Sequence, residues 1–247
     1  MTVVLMIVVA ASAMAQGYGI MFGELEVNET NAADIFGNGM ASYDVDNNML
    51  VLQDGFEYRL SHGLVTVNTG REFRIVLEGN AEMSASLEIG DPVILEAVDE
   101  GSLKITSNIS GSALKCQSLS VMPDVFLDLL SRNSSDSMHA LDCGELRVDE
   151  ATIHAEVTTA QLAVAAKEMA FNGCWLQRPR GGFINEAYGG ICFGDGTPAK
   201  FVRIGVEGFG VEEMEDASHA RIKKVFEDGQ IVIIKDGKRY DVTGREL

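Results

Sequence analysis

The sequence is poor in positive charge. It contains 19 Lys and Arg against 37 Asp and Glu, which gives a formal net charge of −18. A surface this acidic repels phosphate backbones, so we expect no nucleic acid partner. Cations and proteins with basic patches suit such a charge better. With 46% hydrophobic residues, the 247-residue chain nevertheless has enough apolar side chains for a packed core.

Tryptophan, cysteine and histidine are also scarce. The only Trp is Trp175, so aromatic platforms for neutral sugars are expected to be few. The cysteines form no C-x-x-C motif, and no Cys/His spacing is typical of a zinc site. The four His residues have no neighbours that suggest a catalytic triad, and no P-loop or Rossmann fingerprint occurs. We therefore assign no catalytic residue. The sequence leaves open the redox state of the four cysteines, Cys116, Cys143, Cys174 and Cys192.

The first residues are expected to be an export signal. Residues 3–15 form an apolar run that ends in small residues, with Ala13 and Ala15 at the positions a signal peptidase recognises. No Lys or Arg precedes the run, and a buried first strand is the alternative. A bilayer span needs about 20 apolar residues, so no transmembrane anchor is predicted. Residues 1–15 are thus interpreted as a signal peptide, and export would allow the cysteines to be oxidised.

The chain contains an internal repeat. Residues 113–121 (ALKCQSLSV) return as residues 140–148 (ALDCGELRV), and residues 163–171 (AVAAKEMAF) form a weaker third copy. The copies begin at residues 113, 140 and 163, and repeats with periods of about 20–50 residues are typical of solenoids, propellers and arrays. Cys116 and Cys143 occupy the same position in successive copies, so we expect them to be neighbours.

Hydrophobic residues alternate with period two in each copy and change phase at the same point. The pattern indicates two short, half-buried strands joined by a corner. A third apolar segment follows in each copy, at 126–130, 153–157 and 175–176. Three short strands in each unit predict one coil of a β-solenoid, with coils stacked about 4.8 Å apart. A helix is the competing interpretation for residues 162–171, which are rich in Ala and Met, but their alignment with the other copies favours a strand.

Outward-facing carboxylates would also stack in such a solenoid. Ser118, Glu145 and Glu168 fall in one column, and Asp142 lies at the neighbouring outward position of its coil. Two carboxylates about 5 Å apart repel each other unless a cation lies between them, and calcium prefers oxygen ligands. We therefore predict a calcium site at Asp142, Glu145 and Glu168. Two solvated glutamates that point apart are the alternative.

The segments outside the repeat are also mainly strand-like. Short apolar runs punctuated by Gly, Asn or Asp predict strands at 49–52, 64–67, 73–77, 92–95 and 103–106. Residues 32–36 and 125–130 have helix-like patterns, and the Gly-rich residues 183–196 are expected to close the stack. Residues 44–48 resemble part of a calcium loop but lack its Gly and distal Glu, so a turn between two strands is predicted.

Two segments resemble known proteins. Residues 34–44 (DIFGNGMASYD) and 48–52 (NMLVL) resemble the opening of a family of secreted repeat proteins of gut bacteria, and the resemblance extends over residues 18–204. Some of those proteins look like right-handed parallel β-helices that bind acidic plant polysaccharides with calcium. The resemblance implies a right-handed parallel β-solenoid over residues 16–204, calcium as cofactor, and an acidic polysaccharide or cell-surface glycan as partner.

The C-terminal tail has its own resemblance. Residues 224–245 resemble C-terminal segments of surface proteins of the same bacteria, which are similar to type IX sorting domains. This implies the export machinery as a partner and a secreted or cell-surface location. Residues 221–247 carry seven basic and five acidic residues, unlike the acidic remainder. We predict a linker at 205–220 and then a small β-meander with strands at 223–226, 231–234 and 239–242.

These observations favour an exported, non-catalytic module for glycan binding or adhesion. A calcium-dependent polysaccharide lyase or a glycoside hydrolase of the β-helix type is the first alternative, and a purely structural envelope protein is the second. A hydrolase needs paired carboxylates at a defined separation. An enzyme should bring carboxylates and a basic residue together in a groove, whereas a binding protein should present a flat polar or aromatic face.

Overall fold

The computed structural model describes residues 16–108, 111–132, 138–159, 162–206, 222–227, 230–235 and 238–240. The chain divides into two units, residues 1–206 and residues 207–247. The predicted signal peptide lies outside the described residues, and so do residues 207–220 of the predicted linker.

The described residues contain strands and no helix, as the period-two patterns predict. No membrane-spanning helix is therefore found among them. The strands of the first unit are β1 (Gly17–Phe22), β2 (Leu25–Asn28), β3 (Ala41–Asp44), β4 (Met49–Gln53), β5 (Phe56–Val67), β6 (Phe73–Glu78), β7 (Asn80–Ile89), β8 (Pro92–Ala97), β9 (Gly101–Ser107), β10 (Leu114–Lys115), β11 (Ser118–Val121), β12 (Val125–Ser131), β13 (Leu141–Asp149), β14 (Thr152–Val157), β15 (Val164–Asn172), β16 (Trp175–Arg178), β17 (Phe183–Asn185), β18 (Gly190–Cys192) and β19 (Phe201–Gly205).

The strands of the first unit form a parallel β-solenoid with three faces, which confirms the predicted fold class. Face 1 consists of β4, β6, β8, β11 and the second halves of β13 and β15. Face 2 consists of the first halves of β5 and β7 together with β9, β12 and β14. Face 3 consists of the second halves of β5 and β7, then β10 and the first halves of β13 and β15.

Columns of equivalent apolar side chains fill the interior. On face 1, Leu119 pairs in register with Leu146, and Leu146 pairs with Met169. On face 2, Leu127 pairs with Ile153. Leu119, Leu127, Leu146 and Ile153 are buried, and Met169 at the end of its column is partly buried. The coils are not limited to the three obvious repeats, because the columns continue back to Leu50 on β4 through strands without a clear sequence repeat.

The phase of the alternation changes at the corner between faces 3 and 1, which Gly144 occupies in the second copy of the repeat. The amide of Gly144 donates to the carbonyl of Gln117 in the coil below, at 2.9 Å. A Cβ atom at position 144 would lie 2.8 Å from the same carbonyl oxygen, so glycine allows this particular close approach. The equivalent corner positions, Gln117 and Lys167, carry side chains.

Buried polar side chains fix the corner between faces 3 and 1 in the first coils. Asp91 is buried and accepts hydrogen bonds from the amides of Thr69 and Gly70, at 2.6 and 3.1 Å. Asn48 is also buried and donates to Thr69 Oγ1 and to the Glu72 carbonyl. These bonds satisfy backbone groups that leave the strand ladders at the corner.

Antiparallel strands cover most ends of the stack. At the N-terminal end, β3 pairs with β4 on face 1 and β1 pairs with β5 on face 3. At the C-terminal end, β18 pairs with β15 on face 3, and β19 pairs with β14 on face 2. The β17–β18 hairpin confirms that residues 183–196 close the stack. In the described part of the chain, residues 168–172 of β15 have a strand neighbour on one side only. Covered ends matter because an open strand edge is a template for further pairing.

The segments with helix-like patterns are not helical. Residues 125–130 belong to β12, and residues 162–171 lie largely in β15, in agreement with the strand interpretation. Residues 32–36 form turns instead of the helix-like piece that was predicted. Side chains there bond to backbone amides that a helix would use: Asp34 Oδ1 accepts hydrogen bonds from the amides of Asn38 and Gly39 at 3.0 Å each. Such local bonds compete with helix formation. Residues 44–48 form the predicted turn between β3 and β4.

The position of Trp175 and Leu176 differs from the expectation for a third coil. Their strand β16 does not stack directly on β14, because β19 lies between the two and is antiparallel to both. The inward side chains of Val202 and Ile204 on β19 are buried and continue the columns of Ala155 and Ile153. β19 therefore offers two buried apolar side chains to the stack, whereas the short β16 offers Leu176.

The second unit contains the predicted meander. Its strands are β20 (Ile222–Glu227), β21 (Gln230–Lys235) and β22 (Lys238–Tyr240), and they form one antiparallel sheet in chain order. The predicted turns, at the Asp-Gly pairs of residues 228–229 and 236–237, lie outside the described residues.

Candidate functional site

The structure stacks the outward carboxylates of face 1 as predicted. Glu145 pairs in register with Ser118 on one side and with Glu168 on the other. Asp142 lies on face 3, beyond the corner at Gly144, where its register partner is Lys115. No group of three His, Cys, Asp or Glu side chains suited to a metal ion is found among the described residues. Calcium binding by Asp142, Glu145 and Glu168 thus stays a prediction.

The cysteines are buried free thiols. Cys116 and Cys143 are neighbours in adjacent coils, as predicted, and their side chains are hydrogen-bonded to each other. This hydrogen bond and then burial raise the pKa of Cys116 well above its usual value. Cys174 donates instead to the Val148 carbonyl at 3.2 Å, and burial raises its pKa. Because the thiolate is the reactive form, these cysteines are core residues and not nucleophiles.

Face 2 carries a row of aromatic rings on its outer surface. Phe126 on β12, His154 on β14 and Phe201 on β19 lie on three adjacent strands and form a diagonal line. The Phe126 and His154 ring centroids are 4.9 Å apart with the planes at 80°, and those of His154 and Phe201 are 6.1 Å apart at 54°. Phe126 remains 36% exposed. We call these three residues the aromatic row.

A column of charged side chains crosses the aromatic row at His154. Asp128 on β12 and Arg203 on β19 are the register partners of His154. The outward position of His154 agrees with the sequence pattern, since the flanking Ile153 and Ala155 are buried. The same column continues to Lys104 on β9 and to Glu82 on β7, whose side chains form an ion pair at 3.4 Å. Aromatic and charged groups thus lie side by side on the outer surface of this face.

His154 is held in the neutral state by its surroundings. Burial lowers its pKa, and the positive charge of Arg203 lowers it further, while Asp128 acts in the opposite direction. Within the described residues, the buried Nε2 atom of His154 has no hydrogen-bond partner. A neutral imidazole presents one donor and one acceptor nitrogen, and Nε2 is the one enclosed in the protein here.

Polar groups and a second exposed aromatic ring lie next to the row. Trp175 on β16 is 40% exposed and pairs in register with Gly205. A Cβ atom at position 205 would lie 3.1 Å from Gln177 Nε2 and 3.2 Å from Thr152 Oγ1. The missing side chain at Gly205 therefore leaves room for an amide and a hydroxyl group beside Trp175.

This surface combines the groups that recognise sugars. Aromatic rings offer π faces and apolar area to the C–H groups of a pyranose, while amides, hydroxyls and charged groups bind its hydroxyls. The sequence pattern could place Phe126, Asp128 and His154 outside, because each alternates with buried neighbours. It could not bring Phe201 and Arg203 to them, because β19 has no counterpart in the repeat and pairs in the antiparallel sense.

Comparison with known proteins adds no family to this description. The chain matches no protein-family model, no curated protein and no solved structure.

Proposed function

We propose that this protein binds a glycan on face 2, does not cleave it, and acts outside the cell as a secreted or surface-displayed module. The observation that carries the proposal is the aromatic row of Phe126, His154 and Phe201 on the outer surface of face 2 and β19. Grouped aromatic rings that reach the surface often mark a binding site. An aromatic outer face also fits a binding protein better than a lyase or hydrolase.

The extracellular location in this proposal rests on the sequence alone. Residues 3–15 have the pattern of an export signal, and residues 224–245 resemble sorting segments. The export machinery would recognise the tail, and the solenoid would carry the glycan-binding surface. The purely structural alternative does not explain why Phe126 and Trp175 are exposed on the same outer face.

Binding and cleavage can be measured on the same samples. We expect the full chain to bind at least one member of a panel of soluble neutral and acidic polysaccharides in isothermal titration calorimetry, without releasing reducing ends or unsaturated products. The substitution Phe126→Ala should weaken that binding by about tenfold or more, because the most exposed ring of the aromatic row is lost.

Phe183→Ala is the matched control for this experiment. Phe183 is 44% exposed but lies on β17, in the hairpin that covers face 3. Its removal should leave the affinity unchanged. The proposal fails if no polysaccharide binds, if products accumulate, or if Phe183→Ala weakens binding as much as Phe126→Ala.

A further inference from the structure

Asn-Gly and Asp-Gly pairs are places where a protein chain can react with itself. The backbone nitrogen of the glycine attacks the side-chain carbonyl carbon of the preceding residue, because the glycine has no side chain that shields its nitrogen. The reaction also needs that nitrogen and that carbonyl to be free to approach each other. The described residues contain four such pairs, Asn38–Gly39, Asp54–Gly55, Asn172–Gly173 and Asp195–Gly196.

In three of these pairs the glycine amide donates a hydrogen bond. The acceptors are Asp34 Oδ1 for Gly39 at 3.0 Å, the Asn80 carbonyl for Gly55 at 2.8 Å, and the Phe193 carbonyl for Gly196 at 2.9 Å. An amide held in this way must break its hydrogen bond before its nitrogen can turn towards the side chain, and the broken bond adds to the barrier. These three pairs are therefore protected.

Asn172–Gly173 is the exception in the part of the chain that the structure describes. The Gly173 amide has no hydrogen-bond partner there, and the Asn172 side chain has none. Both residues are exposed, and Asn172 ends β15 on the edge that has a strand neighbour on one side only. Local opening costs little at such an edge, so the two reacting groups can reach each other without unfolding of the core.

Asn38–Gly39 matches Asn172–Gly173 in sequence, exposure and backbone conformation. All four residues are exposed, and φ is 73° at Gly39 and 67° at Gly173. At Asn38 the side-chain oxygen accepts from the Met40 amide at 3.0 Å, so both reacting groups of this pair are held. The two pairs thus differ in their hydrogen bonds, which makes the first a natural control for the second.

We propose that Asn172 is a site of spontaneous deamidation. The Gly173 nitrogen forms a bond to the side-chain carbonyl carbon of Asn172 and gives up its proton, while the bond from that carbon to the side-chain nitrogen breaks. Ammonia leaves, and a succinimide ring remains. Water then opens the ring at either of its carbonyl groups, so residue 172 becomes aspartate or isoaspartate. The reaction consumes only water.

The products change the corner between faces 1 and 2. Asn172 is the register partner of Asp149, which is buried, so a carboxylate at position 172 places like charges on adjacent strands. In isoaspartate the main chain runs through the former side chain. The backbone carbonyl that accepts from the Glu150 amide at 2.8 Å then becomes a carboxylate outside the main chain. Both products should therefore weaken the last coil, and isoaspartate should weaken it more.

Mass spectrometry of the full chain measures both asparagines in one sample. The protein is incubated at mildly alkaline pH, and its proteolytic peptides are analysed for deamidation and for isoaspartate. We expect Asn172 to react about tenfold or more faster than Asn38, because two hydrogen bonds must break at Asn38–Gly39. In denaturing urea these bonds are absent, so the two rates should become similar.

Two variants test the cause of the difference. Asn172→Gln keeps the amide but requires a larger ring, so it should abolish the reaction at this position and keep the urea midpoint constant during incubation. The unsubstituted protein should develop a fraction that binds more tightly to an anion exchanger and unfolds at lower urea. Asp34→Ala removes the acceptor of the Gly39 amide and should accelerate the reaction at Asn38 about fivefold or more.

Equal rates at Asn172 and Asn38 in the folded protein would overturn the proposal. A rate difference that persists in urea would also overturn it, because the difference would then come from the neighbouring sequence and not from the structure. An unchanged rate at Asn38 in Asp34→Ala, with the fold retained in a urea titration, would show that the hydrogen bonds give no protection. Glycan binding is measured separately, and it does not depend on the outcome.

Discussion

His154 shows how a single residue on the outer surface depends on two neighbouring strands. Its backbone belongs to β14, but the groups that set its ionisation, Asp128 and Arg203, belong to β12 and β19. The imidazole is half-buried between Phe126 and Phe201. Burial removes hydration that stabilises the charged form more than the neutral form, so it lowers the pKa. The chemistry of the position is therefore a property of the assembled sheet.

The lowered pKa of His154 should appear as a pH dependence of stability. Because the unfolded imidazole takes up a proton more readily than the folded one, the free energy of unfolding should fall as the pH drops through about 6.5, the ordinary His value, towards the folded pKa. Replacement His154→Gln keeps a neutral polar group, and it should remove this part of the pH slope. Urea titrations of both proteins between neutral pH and mildly acidic pH measure the difference.

All other titratable groups are the same in both proteins, so the comparison isolates His154. If the free energy of unfolding depends on pH in the same way in both proteins, the lowered pKa of His154 is contradicted. A direct measurement is available from the imidazole proton resonances, whose titration midpoint for His154 should lie below that of an exposed histidine.

At the scale of the element, corners matter as much as strands. Each coil must turn three times, and each turn takes backbone groups out of the ladder. The Asp91 carboxylate accepts from two amides and from the Thr69 hydroxyl, and it is only 6% exposed. Charge-assisted hydrogen bonds of this kind are among the stronger ones in proteins. The corner is thus held by polar contacts, while the strands are held by the apolar columns.

Asp91→Ala should destabilise the solenoid by about 2–3 kcal/mol, because the amides of Thr69 and Gly70 lose their charge-assisted hydrogen bonds to a buried carboxylate. Asp91→Asn keeps one carbonyl oxygen and should cost less. The exposed Asp99 is a suitable control, and Asp99→Ala should change the free energy of unfolding by no more than about 0.5 kcal/mol. Equal midpoints in urea for Asp91→Ala and Asp99→Ala would refute the role of this corner.

The sequence predicts the strands of this fold better than it predicts which strands and residues become neighbours. The alignment of Cys116 with Cys143 predicts their contact, because parallel coils stack equivalent positions. The position of Asp142 beyond a corner, with Lys115 as its partner, requires knowledge of where the chain turns. The aromatic row is harder still to predict, because Phe201 lies on β19, an antiparallel strand that has no counterpart in the repeat.

At the scale of the whole molecule, the solenoid is a one-dimensional stack in which each coil contacts its neighbours. Its covered ends protect most edge strands, and the exceptions within the described residues are the first half of β5, at residues 56–59, and the second half of β15. Met169 and Phe171 on this segment are partly buried although they point inward, because no further coil covers them. Stability should therefore decrease along the stack towards this edge.

Hydrogen exchange on the full chain can measure this gradient. Amides of residues 168–172 should exchange faster than those of their register partners, residues 145–149, because one side of β15 lacks a neighbouring strand there. The first half of β15, at residues 164–166, provides an internal control, since β18 covers it. Equal protection of the two halves of β15 would show that the edge is covered in solution.

The insertion of β19 between β14 and β16 also has a consequence for biosynthesis. Phe126, His154 and Trp175 leave the ribosome before Phe201 and Arg203, which belong to the last strand of the solenoid. Until that strand is made, β14 and β16 have no partner between them and the aromatic row is incomplete. The surface that we propose for glycan binding can therefore form only after residue 205 has been translated.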